Sequence, residues 1–167
     1  MNIVLIGYRG TGKSAVGKIL SEKLGMPCVS MDSRIVEKIG MSIPDFVKQH
    51  GWPEFRDVES GIARELSKQD NLIIDCGGGI IERPENIENL RERGRIFWLK
   101  ASVKTIVFRI EGGTQRPPLT AGKSFTEEVE EVLERRTPLY RKASQFEIDT
   151  DQSTPEEISD EIIEKLK

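Results

Sequence analysis

The sequence has few of the residues from which metal sites, disulfides or membrane spans are built. Its 167 residues contain two cysteines, Cys28 and Cys76, which are far apart and outside any CxxC spacing, and one histidine, His50. This pattern supports neither a zinc site nor a disulfide framework, and it predicts free, buried thiols. No apolar run approaches the ~20 residues that a transmembrane helix needs, so we expect no membrane partner.

The charge balance also excludes broad classes of partner. The formal net charge is −3, which argues against a generic nucleic-acid binder and requires any cationic site to be concentrated in a local pocket. The first seven residues have no basic region and resemble a buried strand rather than a signal peptide, which favours a cytoplasmic protein. The length is typical of one domain, so we predict a single domain over residues 1–167. A monomer is our expectation for the assembly, although the length does not determine it.

Short apolar runs rich in β-branched residues alternate with amphipathic stretches along the chain. This alternation is typical of βαβ units, and it predicts an α/β three-layer sandwich whose five-stranded parallel sheet has helices on both faces. The predicted strands cover residues 3–6, 28–30, 72–76, 96–100 and 146–149. The predicted helices cover residues 13–24, 32–39, 43–49, 53–67, 84–93, 102–110, 125–142 and 155–166. Ser124 with Glu127 and Thr154 with Glu157 fit capping boxes at two helix starts.

One segment differs from this pattern. Residues 111–124 contain two adjacent glycines, Arg116, a Pro-Pro pair and an Ala-Gly-Lys sequence. A loop of this length within a small domain is more often functional than accidental, and an enzyme that handles ATP needs a lid. We therefore predict a mobile lid at about residues 111–124.

The most specific motif is GYRGTGKS at residues 7–14, a complete GxxxxGK[ST] that follows an apolar strand and precedes a helical pattern. Its glycines allow successive backbone N–H groups to turn inward and form an anion site at the positive end of the helix. Lys13 can reach the β- and γ-phosphates, and the Ser14 hydroxyl can ligate Mg²⁺. A simple turn would require neither side chain, so we predict binding of ATP with Mg²⁺. The predicted ATP-binding residues here are Gly10, Thr11, Gly12, Lys13, Ser14 and Ala15.

A second phosphate-side element is the apolar run that ends in Asp75. It fits a Walker B strand whose carboxylate holds Mg²⁺ or its water shell. A strand that ends in an acid is common in α/β proteins, but here the P-loop strand is expected in the same sheet, with both carboxyl ends at the ligand crevice. We therefore predict Ser14 and Asp75 as the metal-binding residues.

Candidates for an acceptor pocket follow the other strands. Asp32 comes after the second predicted strand, and three glycines at 77–79, which allow close approach of a ligand to the backbone, come after the third. Arg56 and Glu59 lie three apart on a predicted helix, and Arg136 lies on a later one. Each arginine is either an ordinary surface charge or an anion clamp, and residue chemistry alone leaves both interpretations open.

Taken together, these motifs resemble the shikimate kinase family over nearly the whole chain. The resemblance rests on GYRGTGKS, Asp32, Ser42-Ile43-Pro44, Phe55-Arg56 with Glu59, GGG at 77–79, Arg116-Pro117 and RxPLY at 136–140. It implies transfer of the γ-phosphoryl group of MgATP to shikimate in aromatic amino acid biosynthesis. The residues that it implies for shikimate binding are Asp32, Arg56, Gly77, Gly78, Gly79 and Arg136.

The resemblance also implies individual roles. Arg56 and Arg136 would grip the carboxylate of shikimate, and Asp32 would orient its 3-hydroxyl and could accept the proton. The catalytic residues would be Lys13, Asp32 and Arg116, because Lys13 and Arg116 would neutralise charge on the transferring phosphoryl group. Arg109 and Ser153 would flank the adenine of ATP.

The chain departs from the family pattern at three places. The family usually carries Asp-x-Asp after the second strand, whereas this chain has Ser30-Met31-Asp32, and it commonly has a hydroxyl-containing stretch where this chain has Asp75-Cys76. We hypothesise that Asp75 supplies the metal-side carboxylate that is missing at residue 30. Trp52-Pro53 replaces a stretch that is usually acidic and polar.

Two alternatives remain open from the sequence. A gluconate-type or nucleoside monophosphate kinase would share the phosphate half of the site, and an inactive ATP-binding module would explain the missing acid at Ser30. A carboxylate-bearing polyol accounts for Arg56, Arg136 and Asp32 together, whereas no base-recognising groups are evident for a nucleotide acceptor.

Overall fold

The computed structural model describes residues 1–110 and 124–167, in which the apolar runs form a five-stranded parallel sheet. Its strands are β1 (Asn2–Ile6), β2 (Cys28–Ser30), β3 (Ile73–Asp75), β4 (Gly94–Lys100) and β5 (Phe146–Asp149). Their order across the sheet is β2-β3-β1-β4-β5, and every neighbouring pair is parallel. All five predicted strands are confirmed, with shifts of at most two residues at their ends.

The helices are also confirmed, each within one residue of its predicted ends. They are α1 (Lys13–Leu24), α2 (Met31–Ile39), α3 (Ile43–His50), α4 (Trp52–Ser67), α5 (Pro84–Glu92), α6 (Val103–Ile110), α7 (Phe125–Ala143) and α8 (Pro155–Leu166). Thr154 and Glu157 form the predicted reciprocal capping box, and the Ser124 side chain accepts a hydrogen bond from the backbone of Glu127. A short 3₁₀ turn, Ile80–Glu82, was not predicted.

Helices cover both faces of the sheet, because successive residues of the central strand β1 point to opposite sides. Ile3 and Leu5 pack into a core that includes residues of α1 and α8. Val4 and Ile6 pack into a larger core that includes residues of α2, α3, α4, α5 and α7. This arrangement confirms the predicted α/β three-layer architecture.

The parallel pairing brings the strand ends that precede the predicted site residues to one edge of the sheet. Asp75, the last residue of β3, is in register with Leu5 of β1 on one side and with Ser30 of β2 on the other. The P-loop therefore leaves the sheet beside the end of β3 and beside the start of α2, which carries Asp32.

Two sequence predictions need comment. Cys76 is buried, but Cys28 is exposed at the start of the edge strand β2, so the prediction of two buried thiols is wrong for Cys28. The predicted lid, with Arg116, lies outside the described residues except at Ser124. Among the helices that the structure describes, none is long and apolar enough to cross a membrane.

Candidate active site

The P-loop turns around the amine of Lys13. Gly10 and Gly12 have φ values of +84° and +94°, which favour glycine, and Gly12 directly precedes α1. Lys13 Nζ donates to the carbonyl oxygens of Gly7 at 2.7 Å and Tyr8 at 3.0 Å. The lysine is therefore held over the loop, at the start of the helix whose free N–H groups favour an anion.

The P-loop borders a hollow that we call the P-loop hollow. Thr11 does not border this hollow, because its side chain is buried and donates a hydrogen bond to the carbonyl of Tyr8. The other predicted P-loop residues and Asp75 are all present. The lining residues are Arg9, Gly10, Gly12, Lys13, Ser14, Ala15, Ser30, Asp32, Asp75, Cys76, Gly77 and Gly78.

A hydroxyl and a carboxylate are in direct contact at this hollow. Ser14 Oγ donates to Asp75 Oδ2 at 2.7 Å, and Asp75 is only 7% exposed. The neighbouring Ser30 caps α2, since its hydroxyl accepts a hydrogen bond from the backbone of Ser33 at 3.3 Å. The two predicted metal-binding residues are thus adjacent, and they offer the oxygen ligands that Mg²⁺ prefers.

A second hollow, which we call the arginine hollow, adjoins the first. It is lined by all six residues predicted to bind the acceptor, and four of its residues also line the P-loop hollow. Its lining residues are Tyr8, Arg9, Asp32, Trp52, Phe55, Arg56, Glu59, Gly77, Gly78, Gly79 and Arg136. The shared residues are Arg9, Asp32, Gly77 and Gly78.

Arg56 is held by a buried acid. Its guanidinium is 2.9 Å from Glu59 Oε1, and Arg56 and Glu59 are 14% and 1% exposed. Burial raises the pKa of the Glu59 carboxyl, while the Arg56 charge and hydrogen bond act in the opposite direction. The guanidinium also lies 5.2 Å from the ring centre of Trp52 and 5.3 Å from that of Phe55. Arg56 is therefore not an ordinary surface charge.

Arg136 is more deeply buried than Arg56, at 4% exposure. Its guanidinium lies 5.9 Å from the centre of the Tyr8 ring, and its Nη2 is 3.5 Å from Glu82 Oε2. The solvated interpretation therefore fails for Arg136 too. The two arginines line the same hollow and form a cationic wall in a chain whose net charge is negative.

The glycine triplet lines the hollow next to these arginines. A methyl group on Gly79 would collide with the guanidinium of Arg56, which would have to move away from its present position. The carbonyl of Gly78 accepts a hydrogen bond of 2.6 Å from the Tyr140 hydroxyl of α7. The backbone of the triplet is thus fixed close to the charged side chains.

Comparison with known proteins identifies the family of this site. A family model for shikimate kinase matches residues 9–167. The shikimate kinase of Thermodesulfovibrio yellowstonii is 40% identical over 166 residues, which cover 99% of this chain and 95% of the relative. That of Caldicellulosiruptor bescii is 38% identical over 162 residues, which cover 97% and 93%. The chain belongs to the shikimate kinase family.

A solved structure agrees with this family assignment. The shikimate kinase from Acinetobacter baumannii in complex with shikimate superposes with a TM-score of 0.93 at 31% identity, covering 99% of this chain and 92% of the other. The resemblance drawn from the motifs is confirmed, and so is the P-loop kinase fold. A shikimate kinase is an ATP-dependent phosphotransferase, and that class holds for this chain.

Arg109, predicted at the adenine, joins the P-loop to the end of β5. It donates to the carbonyl oxygens of Gly10 at 3.2 Å and Thr150 at 3.1 Å. Ser153 lies in the same turn, where its N–H donates to the Thr150 carbonyl at 3.5 Å. The structure therefore brings Arg109 and Ser153 to one loop cluster, and their contact with adenine stays a prediction.

Sequence reasoning did not assign Tyr8, Arg9 and Trp52 to the shikimate kinase site, although all three line the arginine hollow. Tyr8 and Arg9 occupy variable positions of the P-loop motif. An aromatic ring and a cation at these positions could have indicated contact with a ligand. Trp52 replaces a usually polar stretch and packs against Arg56. The sequence could not predict that Trp52 lines the hollow, because this depends on where α4 packs.

Replacing Gly79 by alanine is expected to weaken binding of shikimate, because the added methyl group displaces the Arg56 guanidinium. We expect the KM for shikimate to rise about tenfold, as for an overpacking cost of ~1.4 kcal/mol, and the KM for ATP to stay unchanged. Steady-state kinetics with each substrate varied measures both constants. Gly61→Ala is the control, because the space beside Gly61 is open. An unchanged KM for shikimate in Gly79→Ala would contradict this account.

Proposed function

We propose that this chain transfers the γ-phosphoryl group of ATP to the 3-hydroxyl of shikimate, yielding ADP and 3-phosphoshikimate. The observation that carries the proposal is the contact between the two hollows, which share Arg9, Asp32, Gly77 and Gly78. Such an arrangement holds a polyphosphate and an anionic alcohol side by side, and phosphoryl transfer depends chiefly on positioning and electrostatic stabilisation. The reaction belongs to aromatic amino acid biosynthesis, and we propose a monomeric, cytoplasmic enzyme.

In this proposal ATP occupies the P-loop hollow. Lys13 exchanges the carbonyl oxygens of Gly7 and Tyr8 for oxygens of the β- and γ-phosphates, while the amides at the start of α1 bind the same anion. Arg109 flanks the adenine. Arg116, which lies outside the described residues, neutralises the transferring phosphoryl group, as the family resemblance implies.

Shikimate occupies the arginine hollow. Arg56 and Arg136 bind its carboxylate, because planar guanidinium groups match a carboxylate with paired hydrogen bonds. Asp32 lines both hollows, so it stands where the attacking hydroxyl meets the γ-phosphate, and it orients that hydroxyl and accepts its proton. The glycine triplet binds the ring hydroxyls through its backbone.

The direct test is a coupled assay of ADP release with a panel of acceptors. We expect ADP release with shikimate and only background release with gluconate or nucleoside monophosphates, because the arginine hollow matches a carboxylated ring alcohol. The Lys13→Met variant serves as the negative control. ATP binding without turnover on shikimate would contradict the proposal and favour an inactive ATP-binding module.

The division of labour between two arginines gives a second prediction. Arg136→Ala is expected to raise the KM for shikimate at least about tenfold with a smaller loss of kcat, because it removes a ground-state contact. Arg116→Ala is expected to lower kcat far more than it raises that KM. Arg141→Ala, an exposed charge on the same helix as Arg136, is the control. Equal effects of the first two variants on both constants would count against this division.

The residues at the P-loop hollow also fit Mg²⁺. Ser14 and Asp75 already share a hydrogen bond, and both would hold the ion or its water shell. Held there, the ion would supply positive charge that offsets the negative charge of the phosphates together with Lys13. We propose that Asp75 replaces the acid that the family usually carries at the position of Ser30.

Removing the carboxylate from residue 75 and then placing one at residue 30 tests whether Asp75 replaces the missing acid. Asp75→Asn is expected to raise the Mg²⁺ concentration for half-maximal rate about tenfold, as outer-sphere changes at metal sites commonly do. The double variant Ser30→Asp/Asp75→Asn is expected to recover the original requirement, because residues 30 and 75 are register partners and Asp also caps a helix. A titration of rate against Mg²⁺ measures both. An unchanged requirement in Asp75→Asn would dismiss the idea.

A further inference from the structure

Glu82 follows the glycine triplet and has no assigned role. It ends the 3₁₀ turn Ile80–Glu82, in which the N–H of Ile80 donates to Gly77 at 3.1 Å and the N–H of Glu82 donates to Gly79 at 3.0 Å. The turn is short and its backbone is fixed by these bonds. The Glu82 side chain is therefore projected from a rigid segment toward α7.

The Glu82 carboxylate lies between two consecutive arginines of α7. Arg135 donates to both of its oxygens, from Nη1 to Oε1 at 2.8 Å and from Nη2 to Oε2 at 3.0 Å. On the other side, Oε2 is 3.5 Å from Arg136 Nη2. Partial burial raises the pKa of the Glu82 carboxyl, but the Arg135 hydrogen bond and the charges of both arginines outweigh it, so the net pKa is lowered. The acid is thus ionised near neutral pH.

Arg136 needs such a partner because it is desolvated. Among the residues that the structure describes, Glu82 is the one acid within ion-pair distance of Arg136, and the Arg136 Nε has no hydrogen-bond partner there. A long side chain in this setting has several rotamers, and a fixed carboxylate selects one of them. Arg56 has a comparable partner in Glu59, which itself lines the hollow.

The cluster of Glu82, Arg135 and Arg136 has a net positive charge that can attract an anion. Two guanidinium groups and one carboxylate sum to one positive charge, and Arg135 occupies both oxygens of Glu82. The carboxylate is therefore already neutralised on its exposed side, where Arg135 lies. The Arg136 guanidinium can therefore still attract the carboxylate of a bound anion, while the Glu82 carboxylate sets its orientation.

We propose that Glu82 is a positioning residue for the acceptor: clamped by Arg135, it orients the Arg136 guanidinium toward the arginine hollow. The inference rests on the proposed role of Arg136 as a clamp on the shikimate carboxylate. A purely structural ion pair is the alternative, and such a pair would change the free energy of unfolding without a selective change in one Michaelis constant.

Glu82→Gln keeps the shape of the side chain and removes its charge. We expect the KM for shikimate to rise about tenfold while kcat and the KM for ATP stay within about twofold, since only the direction of Arg136 is lost. Arg135→Gln, which changes an exposed residue, is expected to raise the same KM about threefold and gives a second reading if Glu82→Gln folds poorly. Glu147→Gln, which disrupts exposed ion pairs of β5, is the matched control and should leave all constants unchanged.

A double-mutant cycle separates this inference from the proposed function. In the Arg136→Ala background, Glu82→Gln is expected to add no further increase in the KM for shikimate, because the residue that it orients is gone. If Arg136→Ala alone leaves that KM unchanged, the clamp itself is wrong. Suppose instead that Arg136→Ala raises the KM for shikimate. The positioning role of Glu82 is then wrong if Glu82→Gln leaves that KM unchanged or lowers it, or if Glu82→Gln raises it equally with and without Arg136.

Discussion

The parallel register of β1, β2 and β3 is the constraint on which the site depends. Because the three strands run in one direction and end at the same level, the P-loop, Asp75 and the start of α2 emerge at one edge of the sheet. Residues 61 positions apart in sequence therefore meet within hydrogen-bond distance, as Ser14 and Asp75 do. The helices on both faces fix this register by burying every residue of β1.

The second constraint is the cost of burying guanidinium groups. Arg56 and Arg136 line the arginine hollow with exposures of only 14% and 4%, and an unpaired buried charge would be expensive. The chain places a carboxylate beside each of them, Glu59 from the same helix and Glu82 from the turn after the glycine triplet. Three arginines and two acids line the hollow, so its positive charge is local while the whole chain carries a net charge of −3.

The elements and the motifs were predictable from sequence because both depend on local patterns. The alternation of apolar runs predicted every strand and α-helix in the described part of the chain, though not the 3₁₀ turn, and the complete P-loop string predicted the turn over Lys13. Interpretation of Arg56 and Arg136 stayed open, because a helical position does not say whether its face meets solvent or a neighbouring element. Cys28 was misjudged for the same reason: a strand at the edge of a sheet looks like a central strand in sequence, and only the strand order shows its exposure. Glu82 escaped notice because its contacts with α7 join residues more than fifty positions apart.

The register of β2 and β3 also explains how a carboxylate at residue 75 could serve the same site as one at residue 30. Ser30 and Asp75 are paired across two parallel strands, whose separation is about 4.8 Å, so an acid at either position reaches nearly the same space. A serine at residue 30 keeps the cap of α2, which an apolar residue would lose, and so preserves the helix that carries Asp32. An acid at residue 75 gains the Ser14 hydroxyl as a neighbour. If Asp75 holds the metal as proposed, these two departures from the family pattern would be one coupled exchange, in which the carboxylate moves from residue 30 to its register partner at residue 75.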